Sequence, residues 1–321
     1  MPTSAPPREV LVQLTQDVRA GLSGAVKTLP SKYLYDAIGS ALFEVLTLLP
    51  EYGVTRAETR VLARCAEALA EHLPGPRDVI ELGCGSGKKT RDLLSTLARR
   101  GSIVYRPIEI SGAALAACAR AMADLPGVRF DGIEDDYLNG LRRARAAGPA
   151  DTPLTVMFLG STIGNFNTDE ATAFLGSLRA ILRPGDTLLL GTDLVKPVAQ
   201  LLAAYDDPIG ATAAFNLNLL ARLNRELGAD FDLRHFEHEA RYDDGQRSIQ
   251  MHLRSTCRQR VTLPAADLSV EFEEGETIWT ESSHKYRLED VATLGAAGGF
   301  RQIASWQDEE WPFAETLFEA V

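Results

Sequence analysis

Short apolar runs alternate with longer segments of helical periodicity between residues 78 and 195. Runs of apolar and β-branched residues predict strands, and apolar positions three and four residues apart predict the helices between them. The predicted strands are residues 78–82, 103–110, 128–133, 154–159 and 186–191, and the predicted crossover helices are residues 90–99, 112–124 and 170–182. This order predicts an α/β fold with an open, doubly wound parallel sheet, in which ligands bind at the carboxyl ends of the strands.

The pattern changes after Lys196 and indicates a second lobe. Residues 197–228 have helical periodicity, while residues 248–256 and 268–273 alternate in the way that antiparallel strands do. Residues 300–306 and 314–320 predict two further strands, which would close the main sheet with a hairpin. About 55 residues precede the first strand of the main sheet, and we expect this segment to pack on the second lobe.

Composition and charge narrow the classes of partner. The 321 residues carry a formal net charge of -11, which argues against a nucleic-acid partner, because phosphate-backbone binding requires clustered lysine and arginine. No apolar stretch approaches the roughly 18 residues of a membrane span. Residues 1–7 lack the charged start and apolar run of a secretory signal. We therefore expect a cytoplasmic protein with a small-molecule substrate and with no nucleic-acid or membrane partner.

The residues that commonly bind metals are dispersed. The chain has four cysteines: Cys65, Cys84, Cys118 and Cys257. Their wide spacing, without a C-x-x-C pair, predicts reduced thiols rather than a zinc site or a disulfide framework. His235 and His238 would share one face of a helix, but no third ligand lies near them in the sequence. We therefore predict that the protein binds no metal.

A glycine-rich segment, Gly83-Cys84-Gly85-Ser86-Gly87, follows the first predicted strand and precedes a helix. Glycines in such a turn let the backbone and its amide donors approach a ligand. A phosphate-binding P-loop, G-x-x-x-x-G-K-[ST], would need a glycine at Leu82 and a hydroxyl at Lys89. A dinucleotide fingerprint, G-x-G-x-x-G, would need its third glycine at Lys88. The P-loop pattern thus fails at two positions and the dinucleotide pattern at one. Cys84 is interpreted as a small residue in a tight turn.

The remaining pattern, an acid followed by G-x-G-x-G, resembles the first motif of class I S-adenosylmethionine (SAM) methyltransferases. Its context agrees with this resemblance. Glu109 falls at the end of the second predicted strand, where a carboxylate can accept both ribose hydroxyls. Asp136 and Tyr137 follow the third predicted strand, where an acid and an aromatic ring could bracket the adenine. We expect SAM as the cofactor and S-adenosylhomocysteine (SAH) as its product.

Further strings resemble one family within this class. They are Tyr33-Leu34-Tyr35-Asp36, Gly39-Ser40-Ala41-Leu42-Phe43, Leu49-Pro50-Glu51-Tyr52, Gly160-Ser161-Thr162-Ile163-Gly164-Asn165, Gly191-Thr192-Asp193-Leu194 and Thr280-Glu281-Ser282-Ser283. Together they resemble the histidine Nα-methyltransferases of ergothioneine biosynthesis, the EgtD family, over nearly the whole chain. The resemblance implies trimethylation of L-histidine to the betaine hercynine. It also implies a SAM-binding domain at residues 57–195 plus 287–321 and a substrate-binding α+β domain at residues 8–56 plus 196–286. We separately expect the protein to be a monomer.

The resemblance also implies roles for individual residues. Residues expected at the cofactor are Gly83, Gly85, Lys89, Glu109 for the ribose, and Asp136 and Tyr137 for the adenine. Residues expected at the substrate are Phe43, Tyr52, Gly160, Thr162, Asn165, Tyr205, Met251, Glu281 and Ser283. Within that set, Asn165 and Tyr205 would bind the α-amino and α-carboxylate groups, while Tyr52, Glu281 and Ser283 would address the imidazole. Met251 and Phe43 would form an apolar wall, and Tyr35, with Asn165, would be catalytic.

The chemistry of these side chains is consistent with the implied roles. Two imidazole nitrogens need two partners, and the Glu281 carboxylate with a phenol and a hydroxyl can satisfy both. The Asn165 amide can donate to a carboxylate while it accepts from an amine. The amine must be neutral to attack a methyl group, and we expect Tyr35 to accept or relay its proton, directly or through water. His284, which neighbours Ser283, is expected to be structural.

Four positions depart from the family pattern. Glu109 replaces an aspartate and Tyr137 a phenylalanine, and both changes keep the needed chemistry. Gly53-Val54 replaces Tyr-Pro after Tyr52, which could shift that loop. Three other functions stay open at this point: the same chemistry on another amino acid such as tryptophan, a nicotinamide-dependent oxidoreductase, and a SAM-binding module without catalytic activity.

Overall fold

The structure is a computed structural model that describes residues 8–149 and 151–321. The expectation about a secretory signal rests on residues 1–7, which lie outside the described residues. The chain divides into two compact units. The first unit contains the chain up to Tyr52 together with Pro197–Ser282, and the second contains Gly53–Lys196 together with Ser283–Val321.

Helices and strands are numbered in chain order. The α-helices are α1 (Arg8–Leu22), α2 (Ala37–Leu46), α3 (Val54–His72), α4 (Lys88–Ala98), α5 (Gly112–Met122), α6 (Tyr137–Ala147), α7 (Thr168–Ile181), α8 (Val198–Tyr205), α9 (Ala211–Leu227) and α10 (Leu288–Ala297). The strands are β1 (Lys27–Thr28), β2 (Arg77–Leu82), β3 (Ile103–Glu109), β4 (Val128–Phe130), β5 (Ile133–Glu134), β6 (Leu154–Phe158), β7 (Thr187–Asp193), β8 (Phe236–Asp243), β9 (Ser248–Ser255), β10 (Gln259–Leu263), β11 (Leu268–Phe272), β12 (Thr277–His284), β13 (Phe300–Asp308) and β14 (Phe313–Ala320).

The second unit is built on an eight-stranded sheet. Its order is β13, β14, β7, β6, β2, β3 and β4, with β5 also paired to β3. Strands β2 to β7 pair in parallel, whereas β14 runs antiparallel to both β7 and β13. Every residue of β2 and β7 is buried, as in parallel strands that are covered on both faces. The predicted doubly wound sheet and its closing hairpin are confirmed.

One predicted strand of this sheet is wrong as a continuous element. Residues 128–133 form two short strands, β4 and β5, which pair with β3 on either side of a break at Asp131 and Gly132. The Asp131 carboxylate accepts a hydrogen bond from Nε of the buried Arg106 at 2.9 Å. A Cβ at Gly132 would lie 2.9 Å from the ring of Phe130, so glycine permits the bend. The apolar pattern alone does not reveal this polar interruption.

The first unit contains a four-stranded sheet in the order β1, β12, β9 and β8. Strands β8 and β9 pair antiparallel, and β1 pairs in parallel with β12. A separate antiparallel hairpin joins β10 and β11. The predicted strands at residues 248–256 and 268–273 are therefore confirmed.

The segment 197–228 is helical as predicted, but it contains a break between α8 and α9. The Asp207 carboxylate accepts hydrogen bonds from the amides of Ala211 and Thr212 at 2.9 and 2.7 Å, which caps α9. The interpretation that His235 and His238 share a helix is wrong. His235 ends a short 3-10 helix and His238 lies on β8.

Neither a membrane-spanning helix nor a cluster of metal-binding side chains is present among the described residues. None of the helices within residues 8–149 and 151–321 has both the length and the apolar character needed to cross a membrane. In the same part of the chain, no group of three or more His, Cys, Asp and Glu residues could hold a metal ion.

Candidate active site

The glycine-rich loop joins β2 to α4, between the strand and the helix that the sequence predicts. Gly83, Gly85 and Gly87 have φ values of 75°, 51° and 70°, in the left-handed region that favours glycine. A Cβ at Gly85 would meet nothing within 4 Å, whereas a Cβ at Gly87 would lie 2.6 Å from Sγ of Cys118. The loop backbone is therefore open at Gly85 and closely packed at Gly87.

Glu109 holds this loop from the end of β3. Its Oε2 accepts a hydrogen bond from the Gly85 amide at 3.2 Å, and its Oε1 accepts one from the Ser111 amide at 3.1 Å. Burial raises the pKa of Glu109, and the amides of Ser111 and Gly85 oppose that shift by stabilising the charged form. The carboxylate thus lies at the carboxyl end of a parallel strand and contacts the loop, as the sequence predicts for a ribose-binding acid.

Asp136 and Tyr137 begin α6 and have different environments. The exposed Asp136 carboxylate caps α6 by accepting from the Asn139 amide at 2.9 Å and from Asn139 Nδ2 at 2.7 Å. The Tyr137 hydroxyl lies 3.0 Å from the position that a Cβ of Gly83 would take. Tyr137 is therefore next to the cofactor loop, while the Asp136 carboxylate is engaged by its own helix.

Cys84 is buried within the loop. Its Sγ lies 3.5 Å from the carbonyl oxygen of Gly85. A hydrogen bond with Cys118 and burial raise the pKa of the Cys84 thiol far above its ordinary value. A thiol that stays protonated is a poor nucleophile, which agrees with Cys84 being a small residue in a tight turn.

Lys89 and Gly160 lie side by side in the second unit. Gly160 has a φ of 74° and precedes a 3-10 helix, Thr162–Asn165, which follows β6. A Cβ at Gly160 would lie 3.5 Å from both Lys89 Nζ and Thr162 Oγ1. The fold therefore brings the lysine that follows the cofactor loop next to a segment in which the sequence predicts substrate contacts, including Asn165.

Ser283 is buried near the end of β12, beside Lys285 and Asp193, two charged residues to which the sequence assigned no role. Its Oγ accepts a hydrogen bond from Lys285 Nζ at 2.7 Å, and that ammonium pairs with Asp193 Oδ2 at 3.0 Å. Burial would raise the pKa of Asp193, but the charges of Lys285 and Lys196 lower it overall. Nδ1 of the adjacent His284 is 2.9 Å from the carbonyl oxygen of Gly164, a contact that suits the expected structural role.

The predicted aromatic residues of the first unit form one cluster. Ring centroids are 5.5 Å apart for Tyr35 and Phe43, 6.2 Å for Phe43 and Tyr52, and 6.1 Å for Tyr52 and Tyr205. Phe215, which the sequence analysis missed, packs 5.5 Å from Tyr35 and 5.9 Å from Phe43. Edge-on contacts of this kind favour a defined arrangement of the rings. Three expected substrate residues, Phe43, Tyr52 and Tyr205, are thus brought together with the expected catalytic residue Tyr35.

A polar network, also missed, supports this cluster from within the first unit. His238 Nε2 is 2.7 Å from the Tyr205 carbonyl oxygen, and its Nδ1 is 3.0 Å from Asn216 Nδ2. Thr280 Oγ1 donates to Asn216 Oδ1 at 2.7 Å and lies 3.0 Å from the Met251 carbonyl oxygen. Burial lowers the pKa of His238, which favours a neutral ring that donates to Tyr205 and accepts from Asn216. Asn216 is fully buried on α9, and only the folded chain shows this burial.

The departure at Gly53 has a steric explanation. A Cβ at this position would lie 2.1 Å from Cε3 of Trp311, so a larger residue would overlap the indole. Trp311 Nε1 donates a hydrogen bond to Asp193 Oδ1 at 3.0 Å. Glycine at position 53 therefore leaves space for the buried Trp311 of the same unit.

A mixed α/β sheet with an antiparallel edge hairpin, an open glycine loop after the parallel strand β2 and a buried carboxylate at the end of β3 fits a class I SAM-dependent methyltransferase. Residues 14–320 match the family described as "Histidine-specific methyltransferase, SAM-dependent", and the chain belongs to this family. The predicted family is confirmed.

Named relatives agree with this assignment. The chain is 43% identical over 307 residues to the histidine N-alpha-methyltransferase of Mycobacterium tuberculosis (strain CDC 1551 / Oshkosh), covering 95% of this chain and 94% of that protein. It is 44% identical over 308 residues to the enzyme of the same name from Mycolicibacterium smegmatis, with the same coverage of both chains. It is also 30% identical over 288 residues to ergothioneine biosynthesis protein 1 of Neurospora crassa, covering 87% of this chain and 32% of that protein.

Proposed function

We propose that this chain transfers methyl groups from SAM to the α-nitrogen of L-histidine and releases the trimethylated betaine hercynine for ergothioneine biosynthesis. The observation that carries this function is the family match, which runs from residue 14 to residue 320 and so spans both units. SAH is the expected second product.

The residues of the second unit fit the cofactor. The loop offers open backbone at Gly85, and Glu109 presents a buried carboxylate beside it. Gly83, Lys89 and Tyr137 border the same loop and would complete the site, with Asp136 directly before Tyr137. When bound, SAM supplies a methyl group on a sulfonium, which is already activated for displacement.

Positioning of the amine supplies most of the rate in this proposal. Alignment of a neutral amine with its target at near-attack distance is worth about 7–11 kcal/mol. Asn165 and Tyr205 would hold the α-amino and α-carboxylate groups, and Tyr35 would accept or relay the amine proton. Tyr35→Phe should therefore lower turnover and change its pH profile. Unchanged turnover and an unchanged pH profile would remove that role from Tyr35.

Specificity for the imidazole is assigned to polar side chains. Glu281 and Ser283 lie two positions apart on β12, and successive odd positions of a strand face the same way. A carboxylate and a hydroxyl, together with the Tyr52 phenol, can pair with both ring nitrogens of histidine. An apolar aromatic substrate would leave these three side chains without partners. Phe43 and Met251 would form the apolar wall, and Gly160 and Thr162 would border the amino-acid site.

The remaining aspects of the proposal come from the sequence. We expect a cytoplasmic monomer that needs no metal, with L-histidine as its small-molecule partner and without a nucleic-acid or membrane partner. The two units would correspond to a SAM-binding domain and a substrate-binding domain.

An amino-acid competition experiment tests the substrate assignment. The chain is incubated with SAM and an equimolar mixture of amino acids, and mono-, di- and trimethylated species are measured by mass spectrometry. We expect methylated histidine to dominate. Methylation of another amino acid, such as tryptophan, would contradict the substrate but not the reaction. SAM binding without any methylated product would instead indicate a binding module.

A further inference from the structure

Glu58 lies fully buried on α3 and is outside every motif used above. Its Oε2 accepts a hydrogen bond from Lys89 Nζ, and its Oε1 accepts one from the backbone amide of Gly160. All three residues belong to the second unit. One carboxylate therefore joins the helix that follows the cofactor loop to the turn that follows β6.

The two groups that Glu58 contacts are both expected ligand contacts. Lys89 follows the cofactor loop within the first turn of α4, and Gly160 precedes the 3-10 helix that ends at Asn165. Hydrogen bonds to an ionised carboxylate are shorter and stronger than neutral ones. The position of Glu58 therefore constrains the Lys89 ammonium and the Gly160 backbone at the same time.

Two further carboxyl groups, those of Glu81 and Glu315, are buried close to this pair. Glu315 on β14 is fully buried, and burial followed by the charge of Glu58 raises its pKa well above the ordinary value. Burial raises the pKa of Glu81 to about 7, and its oxygens accept from Thr90 Oγ1 at 2.9 Å and from the Tyr105 hydroxyl. Burial would lower the pKa of Lys89, but the charges of Glu58 and Glu81 raise it overall.

Gly191 on β7 leaves room for this arrangement. A Cβ there would lie 2.8 Å from Glu58 Oε1 and 3.0 Å from Glu315 Oε1. The side chain of Lys89 keeps 21% of its surface exposed, whereas that of Glu58 has none exposed. The carboxylate is thus the fully enclosed member of the pair, whereas the lysine side chain keeps part of its surface exposed.

We propose that Glu58 is a positioning residue that sets Lys89 for the cofactor and the Gly160 turn for the substrate. This inference rests on the proposed function, because it takes Lys89 and Gly160 as ligand contacts. Glu58 touches neither ligand itself. It acts through the two groups that its oxygens hold.

The test compares Glu58→Gln with Glu67→Gln, a control on the same helix whose carboxylate is exposed and pairs with Arg99. A glutamine amide has one acceptor oxygen and one NH2 group with two donor hydrogens, so glutamine at position 58 must turn the NH2 group toward Lys89 or Gly160. Affinity for SAH is measured by calorimetry on folded protein, without turnover. We expect E58Q to weaken SAH binding by about tenfold, while E67Q stays within about twofold of wild type.

A double-mutant cycle shows whether the effect passes through Lys89. If it does, E58Q should cost little additional SAH affinity when it is made in a Lys89→Met background. Histidine affinity, measured with SAH saturating, should also fall in E58Q because the Gly160 turn is released. If E58Q does not fold, Glu58→Asp, which keeps the charge on a shorter side chain, should weaken both ligands in the same direction.

The outcomes separate this inference from the function on which it rests. Wild-type chain that does not bind SAH would contradict the proposed function itself. Wild-type binding with E58Q and E58D both within about twofold of it would overturn the role of Glu58 alone. Losses from E58Q and K89M that add fully would show that Glu58 does not act through Lys89, and would also overturn the inference.

Discussion

Gly87→Ala is expected to destabilise the second unit more than Gly85→Ala does. Gly87 has a φ of 70°, and its added Cβ would lie 2.6 Å from Cys118 Sγ and 3.1 Å from Met122 Cε. The left-handed conformation costs alanine about 1–2 kcal/mol. Overpacking against these sulfur-containing side chains costs about 1–3 kcal/mol more. The free energy of unfolding should therefore fall by about 2–5 kcal/mol.

Gly85→Ala is the matched comparison. Gly85 also has a positive φ, 51°, but a Cβ there would meet nothing within 4 Å. Only the conformational cost of about 1–2 kcal/mol remains, so G85A should be the more stable variant. Its methyl group instead enters the open space that we assign to the cofactor, and SAH affinity should fall by about tenfold, or about 1.4 kcal/mol.

Two measurements decide between these outcomes. Urea denaturation of the ligand-free proteins gives the free energies of unfolding, and calorimetric titration with SAH gives the affinities. Equal losses of stability in G85A and G87A would refute the steric argument. Unchanged SAH affinity in G85A, with the fold intact, would refute the placement of the cofactor over the open part of the loop.

Three further changes test other parts of the structure. Gly53→Ala should lower the free energy of unfolding by about 1–3 kcal/mol in urea denaturation, because its Cβ would overlap the Trp311 ring, and equal stability would refute that packing. Burial lowers the pKa of His252 to about 4, so the unfolded chain binds a proton between about pH 6.5 and 4 that the native ring does not. The free energy of unfolding should therefore decrease as the pH is lowered through this range, with a contribution from His252 on the order of 2 kcal/mol. His252→Gln should show a smaller decrease over the same pH range, and an equal dependence on pH in both proteins would contradict the lowered pKa of His252. Glu281→Gln should raise the KM for histidine more than it lowers turnover, and an unchanged KM would remove Glu281 from imidazole binding.

The central fold was predictable because its strands are apolar and follow one another with short spacings. β2 and β7 are buried throughout, and the apolar residues Val79-Ile80 and Leu188-Leu189-Leu190 mark them in the sequence. The break at Asp131 was not predictable by periodicity, because it depends on Arg106 from the neighbouring strand. The break between α8 and α9 did have a local signal, the turn residues Asp206-Asp207-Pro208-Ile209-Gly210, which is typical of a helix interruption.

The candidate site was predictable only where a motif carried it. Gly83 and Gly85 lie in the loop after β2, Glu109 ends β3, and the carboxyl ends of parallel strands are where ligands bind. Glu58 and Asn216 lie inside helices, where one buried polar residue has no spacing rule to identify it. Their partners are distant in the sequence, and only the folded chain shows which donor each side chain meets.

Determining which nitrogen of histidine receives the methyl groups is the most direct test of the proposed reaction. Histidine is incubated with the chain and SAM labelled with carbon-13 in its methyl group, and the product is examined by proton–carbon correlation NMR. We predict a labelled trimethylammonium signal that couples to the α-carbon proton, with the imidazole ring unlabelled. Label on a ring nitrogen, or histidine that remains unlabelled while SAM is bound, would contradict the account.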